Sequence, residues 1–447
     1  MSESNINVIQ FGTGNFLRGF IEPLFQKLKD DALWEPKIAL VQSTNSNSIK
    51  RLEETNFNYP LWLAGLKDGN EINEELQINV IRQGIKLPDQ QNDFFKLAES
   101  NDLEFVISNV TEAGFKLETE KDYPTFPNSF PARLTHFLYR RFEFFKGDNT
   151  KGLYFLPCEL IKNNGDKLRE MILEQSKIWG LSEEFEVWVI DSNLFYNTLV
   201  DRIITGLPSN STLEKYGPNS KFHPSRVQGE PYFFFGIEER KGSHQETILH
   251  HPALPITFTE SLTPFSLRKV RILNGAHIAM VALGLPHVIK TVSEFMNNKE
   301  LFAFLKEMIL LEVIPILPLP KQELEEYMLE IFDRFRNPFI EHKLNSIALN
   351  SIAKLSPRIL ASIRDYYDQT QALPEKLTEV FTLTVQRYMK NPESIQDTEQ
   401  IKQIFSEARA IKNPEDQAEF LLGHPELWSF GLSYLKGLKS KLSARIG

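Results

Sequence analysis

Asn7-Val8-Ile9-Gln10-Phe11 is a short β-prone run that passes directly into Gly12-Thr13-Gly14 and then into a helix-capable apolar stretch, Phe20 to Leu28. Strand, glycine turn, helix is the context in which a dinucleotide phosphate is held. Gly12 suits the tight turn. Gly14 lets the backbone approach a pyrophosphate that lies on the helix N-terminus. Leu17 stands where the usual G-x-G-x-x-G spacing has its third glycine. A bare Gly-x-Gly also fits an ordinary turn, and the turn alone leaves both readings open. Asn15, Phe16, Leu17 and Arg18 line the same turn, and a guanidinium at Arg18 is placed to reach a phosphate.

Further β-prone runs follow at 37–41, 104–108 and 152–156, each ending in a polar loop and separated by helix-capable stretches. That alternation predicts βαβ units and a mostly parallel sheet. Ligands of such sheets bind at the carboxyl ends of the strands. Those ends carry the Gly12 turn, the loop with Asn109, Thr111 and Glu112, and the loop with Asn163 and Asn164. The second strand ends in Gln42-Ser43-Thr44, without the acid that binds a ribose 2′-hydroxyl, so NADP stays open beside NAD. Residues 205–265 are rich in Pro, Gly and Ser and read as the edge of this domain plus a crossing segment. From Leu267 the pattern turns helical, over 299–314, 321–334, 339–354, 357–368, 375–390, 398–412, 416–422 and 426–442, with Pro338 and Pro357 as N1 candidates. The expected fold is an α/β Rossmann-type N-terminal domain, residues 1–262, and an all-α C-terminal substrate domain, residues 263–447, with the active site in the cleft between them.

The 447 residues suffice for two or three domains, and 41% apolar with 24% charged residues describe a packed globular chain. A net charge of -9 argues against a nucleic-acid or anionic-membrane partner. The single cysteine, Cys158, excludes an intrachain disulfide. No basic-then-apolar leader and no apolar run of membrane-spanning length is evident, so a cytoplasmic location is the expectation. The sequence says little about oligomeric state.

Lys269, Asn274 and His277 lie in the stretch Ser266–Met280 at spacings of five and three. On an α-helix Asn274 falls about 140° and His277 about 80° from Lys269, so all three share one side. An amine, an amide and an imidazole on one pocket suit work on a carbonyl or alcohol oxygen: the amine moves the proton, the amide donates, the imidazole orients. A solvated Lys, a cap-like Asn and a core His fit the same spacing. Other chemistries lack their parts. No Tyr has a Lys four residues later, and there is no P-loop and no Gly-x-Ser-x-Gly. No metal site is expected; the one local histidine cluster, His244, His250 and His251, reads as a polar loop.

Together, Gly12-x-Gly14-Asn15-Phe16-x-Arg18, Val110-Thr111-Glu112-Ala113-Gly114, Leu199-Val200-Asp201-Arg202-Ile203, Lys269-x4-Asn274-x2-His277 and Arg334-Phe335-Arg336-Asn337-Pro338 resemble the polyol-specific long-chain dehydrogenases, the mannitol dehydrogenase family. The resemblance spans most of the chain and implies metal-independent, NAD-linked reduction of a ketose-derived sugar acid, a small-molecule substrate. It makes Lys269 the general acid, Asn274 a donor to the developing alkoxide and His277 the holder of a substrate oxygen. It also brings Asp201 toward the substrate. Polyol members carry a second oxyanion Asn where this chain has Leu160; Asn164 is the nearest candidate to replace it. A sugar-acid carboxylate calls for a cationic fork. Arg358, four residues after Lys354, is the first candidate, followed by Arg334 and His342. A reductase of the other uronate epimer or a polyol dehydrogenase of the same family, and then a non-catalytic nucleotide-binding sensor, are the alternatives.

Overall fold

The computed structural model describes residues 5–447 except 45, 112, 113, 120–122, 124, 125, 209, 219–222 and 240–246. Glu112 and His244, both singled out above, lie outside the described residues. The chain forms two compact units, one of residues 1–64 and 71–262, the other of residues 65–70 and 263–447.

The first unit holds strands β1 (Val8–Phe11), β2 (Ile38–Gln42), β3 (Tyr59–Lys67), β4 (Asn70–Ile78), β5 (Ile81–Lys86), β6 (Phe105–Ser108), β7 (Tyr154–Pro157), β8 (Leu194–Phe195), β9 (Asn197–Asp201), β10 (Ile204–Gly206), β11 (Val227–Gly229), β12 (Phe234–Glu238) and β13 (Ile256–Thr259); β3 and β4 end in the turn counted with the second unit. Six of them make a sheet in the order β5-β2-β1-β6-β7-β8, every recorded pair parallel. Both faces are buried, and the side-chain alternation of a strand sorts the apolar residues between them. Val8, Ile38, Leu40, Phe105, Ile107 and Leu156 go to one core. Ile9, Phe11, Ala39, Val41, Val106 and Phe155 go to the other. The order reverses between β1 and β6, which is the switch point where ligands of such sheets bind.

Two smaller sheets were not foreseen: β10-β11-β3-β4, and β13-β12-β9, in which β12 runs antiparallel to β9. The β4 run, Asn-Glu-Ile-Asn-Glu-Glu-Leu-Gln-Ile, is mostly exposed, so its polar composition hid a strand. The β-prone run Tyr232–Gly236 within 205–265 is realised in β12, and among the described residues that stretch also holds β10, β11, β13 and a short helix, Asn210–Tyr216.

The second unit is helical. Its centre is the helix Gly275–Gly284, in which every residue except His277 is buried. The helical runs foreseen at 299–314, 321–334, 357–368 and 375–390 are present with shifted ends. Two expectations fail. Residues 339–354 do not form one helix: Leu344–Ile347 and Ser351–Leu355 are separate, and Asn350 between them has φ +49. The stretch 426–442 is non-helical until Leu438. Pro338 lies in a turn beyond the helix Lys321–Arg336 and does not start one. Pro357 falls inside a continuous helical run. It cannot donate the usual hydrogen bond there, and the backbone widens into a π segment, Ser356–Leu360.

No helix among the described residues is long and apolar enough to cross a membrane.

Candidate functional site

The Gly12–Gly14 turn is built by backbone shape. Gly12 has φ +113, and a Cβ there would stand 2.9 Å from the Asn109 carbonyl oxygen. Only glycine allows β1 and β6 to deliver their ends so close together. A Cβ on Gly14 would meet nothing within 4 Å, and no side chain caps the helix Asn15–Phe20 that starts after it. Open space at uncapped backbone N–H groups is what a pyrophosphate requires, so the residues present fit a dinucleotide. Asn109 ties the next loop down, its Nδ2 donating to the Cys158 carbonyl at 2.7 Å. Thr111 is exposed, and its carbonyl accepts from Gly114 N–H at 2.8 Å.

Beneath the turn lies a buried polar network. Gln10 Nε2 donates to the Gly12 carbonyl and to Glu22 Oε1, each at 3.0 Å. Tyr59 Oη contacts Glu22 Oε2 and the Arg18 carbonyl, each at 2.7 Å. Burial pushes the Glu22 carboxyl up, against hydrogen bonds from Tyr59 and Gln10 and the charge of Arg18. Glu22 was not singled out in the sequence; its one signal is an acid inside an otherwise apolar stretch.

Arg18 does not face outward as expected. It is buried, donating from Nη1 to the Ser225 carbonyl at 2.8 Å and from Nη2 to Asn15 Oδ1 at 2.7 Å, with its guanidinium 5.1 Å from the Tyr59 ring centre. Arg18 and the Asn15 carboxamide thus brace the turn from inside. Phe16 stacks on Phe20 at 5.0 Å, and Leu17 packs into the core in the place of the missing glycine.

Asn164 cannot serve as a substrate donor. Its Nδ2 donates to the carbonyls of Pro157, Glu159 and Thr198 and to Thr198 Oγ1, while its Oδ1 accepts from Gly165 and Thr198 N–H. With every hydrogen-bonding position used and 1% exposure, it is a brace between β7 and β9. Leu160, at the expected second oxyanion position, is 79% exposed. Asp201 is buried at the carboxyl end of β9.

In the second unit Lys269 to Asn274 is a π-helical segment, not an α-helix. With i→i+5 bonding, residues five apart lie about one turn apart, so Lys269 and Asn274 come closer to alignment than on an α-helix. π-turns of this kind occur often at functional sites. The following helix carries His277. A second π segment, Ser356–Leu360, carries Arg358, and the two meet at Gly275: a Cβ there would stand 3.3 Å from the Arg358 carbonyl.

His277 is the hub of a cationic cluster. Its ring centre is 5.0 Å from His342 and 5.0 Å from Phe335. Nε2 is buried and has no hydrogen-bond partner among the described residues. Burial pushes the imidazole well below its usual range, and His342, Arg358, Arg334 and Lys354 push it the same way. The ring is therefore neutral, with one nitrogen as donor and one as acceptor.

Each member of the cluster has its own support. His342 sits on a short clip, in which Val292 N–H donates to its carbonyl at 2.9 Å and Leu344 N–H donates to the Lys290 carbonyl at 2.9 Å. Lys354 Nζ donates to the carbonyls of Ile347, at 3.0 Å, and Leu349, fixing its charge where a helix ends. Arg334 is buried on the helix Lys321–Arg336. Arg358 is half-buried, burial lowers its pKa, and no carboxylate pairs with it among the described residues. Arg271, by contrast, is spent on Asp365 and Ser362, each at 2.9 Å. The structure thus groups the three carboxylate-binding candidates around His277 and adds Lys354 to them.

Among the described residues no cluster of three or more His, Cys, Asp or Glu could hold a metal. His250 stacks on Phe258 at 4.0 Å, and His251 Nδ1 accepts from Ala253 N–H at 3.2 Å.

Comparison with known proteins agrees across both halves. The Mannitol dehydrogenase Rossmann domain matches residues 6–250, and the Mannitol dehydrogenase C-terminal domain matches residues 261–445. An altronate oxidoreductase of Bacillus subtilis (strain 168) is 38% identical over 439 residues, covering 98% of this chain and 91% of that one. One from Enterobacter sp. (strain 638) is 34% identical over 450 residues, covering 98% and 92%. Among solved structures, a D-sorbitol dehydrogenase aligns with a TM-score of 0.80 at 17% identity, covering 98% and 92%. The mannitol 2-dehydrogenase of Pseudomonas fluorescens, solved with NAD and D-mannitol, aligns with a TM-score of 0.68 at 18% identity, covering 100% and 92%. The chain belongs to the mannitol dehydrogenase family and is an oxidoreductase acting on CH–OH groups.

Proposed function

We propose that this enzyme interconverts D-tagaturonate and D-altronate, with NADH reducing the ketone and NAD⁺ oxidising the alcohol, in hexuronate breakdown. The observation that carries the reading is the Arg358 guanidinium, which has no carboxylate partner among the described residues and shares the surroundings of His277 with His342, Arg334 and Lys354. A neutral polyol has no use for so many cations at one place, whereas a sugar acid brings the missing carboxylate, which an Arg fork can hold in two-point fashion. The names of the full-length relatives point to the same substrate class.

Gly12, Gly14, the backbone at the start of the helix Asn15–Phe20, Asn109 and Thr111 would hold the dinucleotide. When bound, it supplies or accepts the hydride at the substrate carbon. The chain's own part is the proton and the oxygen. Lys269 gives a proton to the ketone oxygen during reduction and takes it back during oxidation. Asn274 donates to that oxygen as negative charge builds on it. His277, kept neutral, holds a substrate oxygen through Nε2. Since Asn164 is fully engaged, the reading assigns Asn274 as the one amide donor. NAD is the expected cofactor: the end of β2 presents Gln42, whose amide donates to the carbonyls of Thr44 and Ser46, and Lys50 and Arg51 on the following helix make NADPH the second arm of the test.

The test is reduced-nicotinamide consumption with tagaturonate, fructuronate and fructose side by side, using NADH and NADPH in turn. The reading expects turnover of tagaturonate with NADH. Preference for fructuronate would move the enzyme to the other uronate epimer. Preference for fructose would make it a polyol dehydrogenase and contradict the carboxylate assignment. Tight dinucleotide binding without turnover of any of them would favour a sensor.

A further inference from the structure

The buried guanidiniums of Arg141 and Arg271 are spent on partners. Arg141 donates to the carbonyls of Lys151, Ala98 and Ser100, and Arg271 donates to Ser362 and Asp365. Arg387, on the helix Glu375–Lys390, departs from that pattern. Its Nη1 is buried and has no hydrogen-bond partner among the described residues, and no carboxylate pairs with it there. A guanidinium keeps its charge at any ordinary pH, so burying it stays costly until an acceptor compensates it. Arg387 stands in the last turn of its helix, where the dipole favours a cation. The dipole offers Nη1 no acceptor.

The space beside this group is open. Arg387 and Ser394 are walls of two cavities of about 270 and 350 Å³, each with room for more than one water. Asn345, Leu349 and Gln396 line the first, and Lys390 and Asn391 line the second. The side-chain amides of Asn345, Asn391 and Gln396 are in no hydrogen bond among the described residues, so each has a donor to offer. The acids of the neighbouring turn are occupied. Asp397 accepts from Tyr388 Oη at 2.5 Å and from Thr398 N–H at 2.8 Å, and Glu393 accepts from the Ser406 hydroxyl at 3.4 Å.

We propose that Arg387 anchors a second binding site, for the carboxylate or phosphate group of a small metabolite, between the end of the helix Glu375–Lys390, the turn Pro392–Ser394 and the segment 345–349. Such an oxyanion meets the planar fork of the guanidinium in two-point fashion and takes up the bare Nη1. The neutral amides complete its shell, and Lys390 adds charge at the second cavity. The site shares no residue with the cluster around His277, and Arg387 and Arg358 are not among the charges that act on each other. It does share a segment of chain with it. Leu349 lines the first cavity and its carbonyl holds Lys354 Nζ, while Asn350 N–H donates to the Gln396 carbonyl at 3.0 Å.

The experiment is equilibrium dialysis of the full chain against labelled inorganic phosphate and, separately, labelled malonate. The proteins are Arg358→Ala, which removes the anion anchor of the reaction site, and the double variant Arg358→Ala with Arg387→Gln. Arg358→Ala should bind one oxyanion per chain, and the double variant should bind it about 10- to 100-fold more weakly, as expected for a lost charge-assisted contact. Tighter phosphate assigns the site to a phosphate ester, and tighter malonate to an organic acid. No binding of either by Arg358→Ala, or equal binding by the two proteins, would overturn the proposal and leave Arg387 to water. Should the double variant fail to fold, phenylglyoxal labelling of wild-type Arg387, read by peptide mass, decides the matter. Protection by phosphate or malonate supports the site, and labelling indifferent to both overturns it. The outcome does not depend on which sugar the enzyme reduces.

Discussion

In the proposed reading the Gly12–Asn109 cradle and the cationic cluster would each hold an anion, by opposite means. The cradle uses backbone: a glycine at φ +113, an uncapped helix start and loops tied by carbonyl hydrogen bonds. Its charged side chains, Arg18 and Glu22, are turned inward and hydrogen-bonded beneath it. The cluster uses side chains. Two π segments carry its Lys269–Asn274 and Arg358 parts, and Arg358 has no carboxylate partner among the described residues. Backbone-built sites are therefore vulnerable to the shape of a residue, and side-chain-built sites to its charge.

That contrast breaks most sharply at Lys269. Lys269→Ala should lower turnover by about 10²- to 10⁴-fold, the range for a lost general acid or base, while dinucleotide affinity stays as it was. A parallel loss of dinucleotide affinity would show the two sites are not separable. Gly12→Ala should do the converse. The left-handed backbone and the approach to Asn109 together place the penalty at about 1–3 kcal/mol, read as a lower Tm and weaker dinucleotide binding, with little change in KM for the sugar acid. Tyr59→Phe removes a donor from Glu22 in a buried network, so about 1–3 kcal/mol of stability should be lost on denaturant unfolding, without a change in substrate preference.

The smallest effect is a pH comparison of two histidines. His136, packed on Phe95 at 4.5 Å and Tyr123 at 4.6 Å, is lowered by burial to about 4. Its folded value lies below its unfolded value of about 6.5, so its stabilising contribution is complete above that pH and is lost as pH falls toward about 4. By roughly pH 5.5 the wild type should have lost about 1 kcal/mol more than His136→Phe. His277 is lowered in the same direction, yet partly by neighbouring cations. Bound altronate should bring its titration back toward the usual imidazole range, followed by NMR, and leave His136 unmoved. A shift of both would point to a general change in the protein.

Much of this was legible in the sequence because it is local. A glycine turn after a strand and a Lys-x4-Asn-x2-His spacing are short-range patterns, and they carried the fold class and the proposed reacting residues. Arg334, His342 and Arg358 could be named as cation candidates, although 24 residues separate the first from the last. What failed depends on contacts distant in sequence. Arg18 looked like a phosphate ligand until Ser225, 207 residues away, claimed it. Asn164 looked free until Thr198 saturated it. The π-turn at Lys269 has no signature in its residue types, and it matters because it changes the angle between Lys269 and Asn274.

The central claim is that the cluster around Arg358 exists for a carboxylate. Its most direct test is kcat/KM for tagaturonate and for the neutral ketose fructose, in the wild type and in Arg358→Ala. Loss of a charge-assisted contact of about 1.5–3 kcal/mol should reduce the preference for the acid by roughly 10- to 100-fold, chiefly through KM, and leave the neutral ketose nearly unaffected. If the variant loses both substrates equally, or keeps the wild-type preference, Arg358 is a structural cation and the carboxylate account is wrong.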